Sequence, residues 1–226
     1  MSLVTIIIPY KNNLKYLFLA LKSILNQTYK NYKILVIYDD DNKSDLILLK
    51  RFINKKKRKI KFSIQILVNI KNLGAGQSRN RGIKHCKTKY IAFLDSDDFW
   101  HKCKLKAQIE FMKKNNLVIS HTSYLGINDN EDILYKRIAK KVINFNDLIG
   151  SCDIGLSTVM LKTNFIKKNN LFFPHDIKTK EDYVLWLRLS RKGIKFFGIF
   201  KKLSLWRKTN NSLSSNTIRK LIDGYK

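Results

Sequence analysis

Short apolar runs alternate with amphipathic helical segments through the first half of this chain. The apolar runs are typical of buried strands and lie at residues 4–8, 34–38, 64–68 and 90–94. Helical periodicity fills the intervals and continues past the fourth run, at residues 14–25, 44–54, 74–85 and 102–115. Strands that alternate with helices predict right-handed βαβ crossovers, and therefore an α/β fold with a mostly parallel sheet flanked by helices. We expect Ser44 or Asp45 to cap the second helix.

The pattern becomes less regular beyond residue 124, where a turn is expected at residues 128–130. Further strands are expected at residues 117–123, 156–161 and 196–200. A helix is expected at residues 181–192, with Gly193 just past its end. The sequence contains no internal repeat and no linker rich in Pro, Gly or Ser, so one compact domain over residues 1–226 is the simplest organisation.

The chain is strongly basic, with 45 Lys and Arg against 17 Asp and Glu and a formal net charge of +28. Such a charge attracts anionic partners such as nucleic acid, phospholipid headgroups or a phosphorylated substrate. Compositional drift in a chain rich in Lys, Asn and Ile is an equally simple explanation. The basic run at residues 55–59 fits a solvated helix end, so charge alone does not select a function.

Membrane-spanning and secreted classes are not indicated by the sequence. No apolar stretch reaches the length of a transmembrane helix, and residues 4–8 lack the basic lead-in of a signal peptide. Cys86, Cys103 and Cys152 have no metal-binding spacing, and an odd count without a secretion signal predicts reduced thiols in the cytoplasm. The four histidines are scattered and indicate no metal site of their own.

Two acidic clusters directly follow apolar runs, although acidic residues are scarce in this chain. Residues 39–41 are all aspartate, and residues 95–98 read Asp-Ser-Asp-Asp. Like charges at the end of a buried strand repel one another, so they usually need a cation or backbone donors nearby. Because ligands bind at the carboxyl ends of strands in open α/β sheets, the clusters indicate a divalent metal with a phosphorylated ligand. Capping of the helix at residue 102 is the structural alternative for the second cluster.

The segment Gly74-Ala75-Gly76 resembles part of a dinucleotide-binding fingerprint but fails two tests. Arg79 stands at the third glycine position, and the segment follows the third predicted strand rather than the first. We therefore predict a tight turn that starts a helix near a ligand, with Arg79 and Arg81 placed to clamp a phosphate or stack beside a base. A solvated helix N-terminus is the structural alternative.

Two later segments are also open to a structural and a functional interpretation. Glu181 and Asp182 stand before an apolar helix, where the helix macrodipole favours acidic side chains. Either residue is also a candidate general base placed over a metal site. Residues 206–214 are polar and basic after an apolar run, which predicts either a loop that closes over an anionic ligand or a solvated tail.

These motifs follow one another in a specific order along the chain. From the N-terminus they are Ile6-Ile7-Ile8-Pro9-Tyr10-Lys11-Asn12, Ser23-Ile24-Leu25-Asn26-Gln27-Thr28-Tyr29, Tyr38-Asp39-Asp40, Asn72-Leu73-Gly74 with Ala75 to Gly82, Asp95-Ser96-Asp97-Asp98, Glu181-Asp182-Tyr183 with Leu185-Trp186-Leu187-Arg188, and Arg207 with Ser212-Leu213-Ser214. The ordered set resembles the family 2 inverting glycosyltransferases of GT-A fold over nearly the whole chain. It is similar to the bacterial branch that builds cell-surface polysaccharides, such as the teichuronic-acid glycosyltransferases.

The resemblance implies a nucleotide-sugar-binding half at residues 1–100 and an acceptor-binding half at residues 101–226. It implies Asp182 as the catalytic base with Glu181 beside it, and Asp97 as the ligand of a Mn²⁺ or Mg²⁺ ion that bridges the diphosphate. The implied nucleotide-sugar contacts come from Pro9, Tyr10, Asp39, Asp40, Arg79, Asp95, Ser96 and Arg207. The aspartate run at residues 39–41 lacks the glycine usual in the family, so Asp39 and Asp40 stay alternatives for contacting the nucleobase.

The implied reaction moves a sugar, with inversion, from a nucleotide-diphosphate donor such as a UDP-sugar to a glycan or polyprenyl-diphosphate-linked acceptor. The enzyme would serve surface polysaccharide synthesis in the cytoplasm, in peripheral contact with the anionic inner face of the cell membrane and without nucleic acid. A sugar-phosphate nucleotidyltransferase is an alternative, but residues 9–13 lack its Gly- and Arg-rich phosphate loop. A basic nucleic-acid-binding protein is the other alternative. Its mark would be exposed aromatic residues among basic ones, but the aromatic residues here fall mostly in predicted core segments.

Overall fold

The computed structural model describes residues 3–58, 63–177 and 179–209, and its first half alternates strands and helices as predicted. The strands here are β1 (Val4–Tyr10), β2 (Tyr32–Tyr38), β3 (Ser63–Val68), β4 (Tyr90–Phe93) and β5 (Phe99–Trp100). The helices are α1 (Leu14–Leu25), α2 (Lys43–Lys57), α3 (Ala75–His85) and α4 (Lys104–Lys114). Each predicted strand and helix of this half is therefore present, with ends that shift by a few residues.

The second half contains more and shorter elements than the sequence predicts. Its strands are β6 (Ile119–Ile127), β7 (Ile133–Arg137), β8 (Val142–Ile143), β9 (Met160–Lys162) and β10 (Phe196–Arg207). Its helices are α5 (Phe145–Gly150), α6 (Thr163–Lys168) and α7 (Glu181–Arg191).

All ten strands belong to one sheet, with the order β3-β2-β1-β4-β9-β6-β10-β5. The strands β7 and β8 pair with β6 and β10 at the margin of this order. The half formed by β3, β2, β1 and β4 is entirely parallel. In the other half, β6 and β10 are parallel, while β9 is antiparallel to both of its neighbours. The predicted α/β class is confirmed.

Helices cover both faces of the sheet because successive strand residues point to opposite sides. Along β1, Ile6 and Ile8 enter the core shared with α1, α2 and α4, while Ile7 enters the opposite core shared with α3 and α7. Both faces of the central strands are therefore buried, which explains why β1 and β2 read as continuous apolar runs. Gly82 lets α3 approach closely, since a Cβ there would lie 2.7 Å from the side chain of Ile7.

Three predictions about local structure are wrong. Residues 156–161 are not one strand, because Leu156–Thr158 forms a 3₁₀ turn before β9 begins. The strand predicted at residues 196–200 continues to Arg207, past an irregular pairing with β6 between Ile199 and Ser204. The cap of α2 is Asn42, whose side chain accepts hydrogen bonds from the amides of Ser44 and Asp45.

No helix of the described residues has the length and apolar character needed to cross a membrane. The predicted motif residues 212–214 and the last lysine of the basic run, Lys59, lie outside the described residues.

Candidate active site

The ends of three parallel strands place both acidic clusters at one edge of the sheet. Tyr10 of β1 pairs with Tyr38 of β2, which is followed directly by Asp39. Ile7 of β1 pairs with Phe93 of β4, and Asp95 follows two residues later. Because parallel strands end on the same side, the prediction that the two clusters lie at the carboxyl ends of strands in one sheet is confirmed, and binding of a ligand at this edge stays a prediction.

Arg79 links this edge to the N-terminus of α7. Its Nη2 atom lies 2.6 Å from an oxygen of Asp95, and its Nη1 atom lies 2.6 Å from an oxygen of Glu181. The Arg79 side chain is only 5% exposed, so both ion pairs are shielded from water. Burial opposes the charge of Arg79, but Asp95 and Glu181 outweigh it and raise the pKa of the guanidinium. The bridge joins residues that are far apart in the sequence.

The glycine-rich segment makes this bridge possible. Gly74 precedes α3 with a φ of 81°, in the left-handed region that side chains disfavour. Gly76 lies against α7, since a Cβ at this position would come within 3.1 Å of the Glu181 side chain. The segment therefore serves close packing of α3 on α7 and brings Arg79 to Glu181.

Asp182 lies beside the bridge, at the start of α7, and keeps part of its surface exposed. Burial of its carboxyl group, and next the neighbouring Glu181, raise its pKa to about 6, although Arg79 opposes the shift. Asp95 also contributes to raising it, which places both carboxylates in one electrostatic neighbourhood. A carboxylate with a pKa near neutrality is suited to accept a proton in catalysis.

Asp97 and Asp98 form the part of the cluster that has the least compensation. Burial and then Asp95 raise the pKa of Asp97 to about 6, although Arg207 and Arg79 oppose the shift. The pKa of Asp98 is well above its ordinary value because of burial and then Asp97. One Asp98 oxygen accepts a hydrogen bond from the backbone of Arg207 at 2.9 Å, while the other is buried without a partner.

This acidic turn fits a divalent cation that takes few ligands from the protein. Crowded carboxylates and a buried oxygen without a partner are what a bound cation would relieve. No group of three or more His, Cys, Asp or Glu side chains in the described part of the chain is arranged to hold a metal alone. Mg²⁺ and similar ions often take one or two carboxylates and complete their shell with phosphate and water, so one or two carboxylates of this turn would suffice, and the resemblance implies Asp97.

Asp39 is fully engaged by protein donors. Its carboxylate accepts hydrogen bonds from Asn69 at 2.7 Å and from the amides of Leu73 and Gly74, both at 2.8 Å. Asp39 therefore fixes the loop that leads into α3. Asp40 is half-buried and accepts a hydrogen bond from the amide of Asn12 at 2.6 Å, so it ties the ends of β1 and β2 together.

Pro9 and Tyr10 are buried at the end of β1. The Tyr10 ring packs against Tyr38, with 5.0 Å between ring centroids, and its hydroxyl donates to Asp45 at 2.6 Å. Burial and then Asp45 raise the pKa of Tyr10. Ser96 is half-buried between Asp95 and Asp97. The nucleotide-binding roles predicted for these residues stay predictions.

Arg207 is not part of a loop, which corrects the prediction from the sequence. It is the last residue of β10 and is 2% exposed. Its guanidinium donates to the carbonyl of Asp97 at 3.3 Å and to the carbonyls of Asn128 and Asp129 at 3.1 and 3.2 Å. It also lies over the ring of Tyr16, 4.7 Å from the centroid. Arg207 thus links the backbone of the acidic turn at Asp97 to the backbone at Asn128 and Asp129.

The sequence analysis did not identify Asn69, which organises the site, and it proposed a ligand contact for Arg81, whose guanidinium binds the protein instead. Asn69 donates to Asp39 and also to Ser78 at 2.9 Å, which ties the end of β3 to α3. An asparagine directly after an apolar run was the available signal. Arg81 donates to the carbonyl of Val68 and to Asn69, so its charge is used at the end of β3.

Comparison with known proteins agrees with this fold and edge. The model of glycosyl transferase family 2 matches residues 5–176. The chain is 35% identical over 220 residues to the UDP-Glc:alpha-D-GlcNAc-diphosphoundecaprenol beta-1,3-glucosyltransferase WfgD of Escherichia coli, covering 97% of this chain and 82% of WfgD. It is 31% identical over 215 residues to TuaG of Bacillus subtilis, a protein assigned to teichuronic acid biosynthesis, covering 95% of this chain and 82% of TuaG.

Among solved structures, Staphylococcus aureus TarS 1-349 in complex with UDP-GlcNAc superposes with a TM-score of 0.77. The match has 20% identity and covers 95% of this chain and 61% of that chain, so it supports the fold. The chain also spans 32% of the length of a Rickettsia conorii glycosyltransferase that it matches. These matches define the class as a GT-A fold, and the chain belongs to glycosyl transferase family 2.

Proposed function

We propose that this protein transfers a sugar, with inversion at the anomeric carbon, from a UDP-sugar to a lipid-linked or glycan acceptor in surface polysaccharide synthesis. The observation that carries the proposal is the Arg79 bridge, which holds the Asp182 end of α7 against the Asp95–Asp98 turn. Family membership and the activity that WfgD's name describes support the choice of donor and acceptor.

Asp182 is the base in this proposal. Its carboxylate takes the proton from the acceptor hydroxyl as that oxygen attacks the anomeric carbon and the bond to the nucleoside diphosphate breaks. The raised pKa makes Asp182 a stronger proton acceptor than an ordinary aspartate, while it is still mostly ionised at neutral pH. The residue as a whole is partly exposed, so in this proposal an acceptor hydroxyl reaches the largely buried carboxyl group from that side.

The neighbouring residues have positioning and binding roles. Glu181 acts through Arg79, because its carboxylate is engaged in the ion pair rather than facing an acceptor. Asp95 keeps 28% of its side chain exposed beside Arg79, so it can contact the ribose or sugar. Asp40 is the better candidate for contacting the nucleobase than Asp39, since it is half-buried and accepts two hydrogen bonds, whereas Asp39 is buried and accepts three.

A divalent cation completes the site in this proposal. Asp97 would hold Mn²⁺ or Mg²⁺, and the ion would supply Lewis-acid stabilisation of the departing diphosphate. Arg207 keeps the Asp97–Asp98 turn in place, because its amide donates to the Asp98 carboxylate and its guanidinium donates to the Asp97 carbonyl.

The two halves of the domain take different substrates in this proposal. Residues 1–100 would bind the nucleotide sugar, and residues 101–226 would bind the acceptor. The named acceptor of WfgD is a diphosphoundecaprenol-linked sugar, so we propose a polyprenyl-diphosphate acceptor reached at the cytoplasmic face of an anionic membrane. Family membership favours this function over the nucleotidyltransferase and nucleic-acid-binding alternatives.

The proposal is tested by thermal unfolding with a panel of nucleotide sugars, each with and without Mn²⁺, followed by transfer assays on a synthetic GlcNAc-diphospho-lipid. We expect one UDP-sugar to raise the midpoint only when Mn²⁺ is present, and its sugar to appear on the lipid with inverted configuration by NMR. Stabilisation by none of the nucleotide sugars, or a product with retained configuration, would contradict it.

A further inference from the structure

An exposed margin of the sheet in the second half combines apolar side chains with lysines. We call it the β7–β10 surface and define it as residues 133–142 and 200–202. Its exposed apolar residues, with their exposed fractions, are Ile133 (55%), Leu134 (47%), Ile138 (55%), Val142 (36%) and Phe200 (59%). Its exposed basic residues are Lys136, Arg137, Lys140, Lys141, Lys201 and Lys202. The surface contains no acidic residue, although Arg137 reaches Asp153 outside it at 3.3 Å.

The two segments of this surface are held side by side by the backbone. The hydroxyl of Ser123 accepts a hydrogen bond from the amide of Ala139 at 2.9 Å and donates to the carbonyl of Phe200 at 2.9 Å. The amide of Gly198 donates to the carbonyl of Lys141 at 3.0 Å. Residue 198 must be glycine for this approach, since a Cβ there would lie 2.1 Å from the carbonyl oxygen of Lys140. The surface is therefore a built part of the fold.

Aliphatic side chains interspersed with lysines match the chemistry of an anionic bilayer surface. The apolar side chains can enter the boundary between headgroups and acyl chains, while the lysine ammonium groups stay among the phosphates. Nucleic acid is a poorer match, because its phosphate backbone would engage the lysines but leave the exposed aliphatic side chains of Ile133, Leu134 and Ile138 without a partner. The lysines and Arg137 along the strand margin also disfavour pairing with a second copy.

The β7–β10 surface begins next to the candidate active site. Ile133 pairs with Ile127, and the following residue, Asn128, accepts a hydrogen bond from Arg207 behind the acidic turn. The Tyr135 ring lies 6.1 Å from the ring of Trp206, the residue before Arg207. A bilayer bound at this surface would therefore lie beside the edge where the acceptor is expected.

We infer that the β7–β10 surface docks onto the anionic phospholipid headgroups of a membrane. The inference deepens the membrane contact of the proposed function by assigning it to particular residues, and it rests on that function only for the identity of the acceptor. Docking keeps the enzyme at the layer where a lipid-linked acceptor presents its sugar.

Sedimentation with vesicles tests the charge contribution. The test variant carries Lys136, Lys140, Lys141 and Lys202→Gln, and the matched control carries Lys50, Arg51, Lys55 and Lys57→Gln on α2, where these side chains are also exposed or nearly so. A basic residue near an anionic surface contributes about 1 kcal/mol, or about fivefold in partitioning, so the test variant should bind phosphatidylglycerol-containing vesicles at least about a hundredfold more weakly. The control should lose far less, and equal losses in both variants would overturn the assignment.

A second variant tests the apolar contribution at constant net charge. Ile138→Ser with Phe200→Ser should weaken vesicle binding by at least about tenfold, because each buried methylene contributes about 0.8 kcal/mol. Unchanged binding would overturn the docking mode. Circular dichroism and the unfolding midpoint establish that each variant is folded, and both residues are exposed, so little stability should be lost.

The remaining outcomes separate this inference from the proposed function. Wild-type protein that is stabilised by a UDP-sugar but does not sediment with anionic vesicles would overturn the inference alone. Wild-type protein that sediments with vesicles but binds no nucleotide sugar would overturn the proposed function alone. Salt-sensitive retention of DNA without vesicle binding, or a dimer in light scattering that the Ile138 and Phe200 variant dissociates, would assign the surface to another partner.

Discussion

The acidic edge of this protein contains two regions that treat charge in opposite ways. At the Arg79 bridge, the carboxylates of Asp95 and Glu181 share one buried guanidinium and each lies 2.6 Å from it, so the charges are paired although Arg79 Nε is buried without a hydrogen-bond partner. At the turn just beyond, Asp97 has a pKa of about 6 and Asp98 has one oxygen without a partner. The two regions are two residues apart on the chain at their nearest point, Asp95 and Asp97.

This difference separates scaffold from ligand site. Charges that are satisfied within the protein fix the geometry, because removing one partner leaves the other buried and unpaired. Charges that are left unsatisfied cost stability in the free protein and are expected where a ligand supplies the missing partner. The comparison places Arg79 and Glu181 in the scaffold and is the basis for proposing Asp97 for the cation and Asp182, next to Glu181, for proton transfer.

The largest effect is expected from Asp182→Asn. Asparagine keeps the shape and the hydrogen bond from the amide of Tyr183 but cannot take a proton. Turnover of the nucleotide sugar should fall by about 10²–10⁴-fold, the usual contribution of a general base, while donor binding is retained. Asp176→Asn, at an exposed position, is the control and should keep its rate. Full turnover by Asp182→Asn would remove this residue from the mechanism.

Removal of divalent metal should have the next largest effect. Lewis-acid stabilisation is worth several kcal/mol, so EDTA should reduce transfer by about a hundredfold or more, and Mn²⁺ or Mg²⁺ should restore it. Transfer rates measured before chelation, after it and after each ion is added back provide the check. Activity that is indifferent to EDTA would contradict the cation at Asp97.

Arg79→Gln probes the scaffold. The substitution leaves Asp95 and Glu181 without their cation, so the free energy of unfolding should fall by about 3–5 kcal/mol, as is typical of a broken buried ion pair. Arg137→Gln is the matched control, because its ion pair with Asp153 is longer, at 3.3 Å, and its side chain is 55% exposed. It should cost less than about 1 kcal/mol. Denaturant titration measures both, and equal losses would contradict the distinction.

The pH dependence of transfer gives a more moderate effect. The base must be ionised, and the pKa of Asp182 is about 6, so the rate should be nearly constant above pH 7. Below pH 6 it should fall by at least about tenfold for each further pH unit, because Asp182 is protonated and Asp97, whose pKa is also about 6, is protonated in the same range. A rate that is unchanged down to pH 4.5 would show that the base has an ordinary aspartate pKa.

The smallest effect is a gain in stability. The folded-state pKa of Asp182 lies above its ordinary 3.8, so its ionised form destabilises the folded protein at neutral pH, and this cost disappears below pH 4. The free energy of unfolding of Asp182→Asn at pH 7.5 should therefore exceed that of the wild-type protein by about 1–3 kcal/mol. The lower end of this range applies if solvent screens the carboxylate. The gain should vanish near pH 4. A loss of stability at pH 7.5 would mean that the carboxylate is compensated after all.

Much of the fold was predictable because its first half obeys local rules. The strands β1, β2 and β4 are built around continuous apolar runs, β3 is apolar except for Ser63 and Gln65, and residues 39–41 and 95–98 directly follow two of these runs. The second half was less predictable, since β10 passes through an exposed stretch around Phe200 that interrupts the apolar pattern. The strand β7 has every residue exposed and shows no burial periodicity to read.

The residues that meet at the acidic edge were named from the sequence, but most of their contacts were not predictable from it. Arg79 and Glu181 were both identified, yet their ion pair joins positions 102 residues apart, which no local pattern reveals. Arg207 was assigned to a loop because polar residues follow it, whereas pairing with β6 carries the strand through it. The sequence indicated that the Asp39 cluster needs a cation or backbone donors but could not identify the donors, because Asn69 and the amides of Leu73 and Gly74 come from a different strand and loop.

Calorimetric titration of UDP in the presence of Mn²⁺ tests the central claim most directly, because it separates the cation site from the base without requiring the acceptor. We predict that wild-type protein and Asp182→Asn bind UDP with similar affinity, and that Asp97→Asn loses Mn²⁺-dependent binding. Unchanged Mn²⁺-dependent binding by Asp97→Asn, or no binding of UDP by the wild-type protein, would contradict the convergence of carboxylates around a cation and a diphosphate.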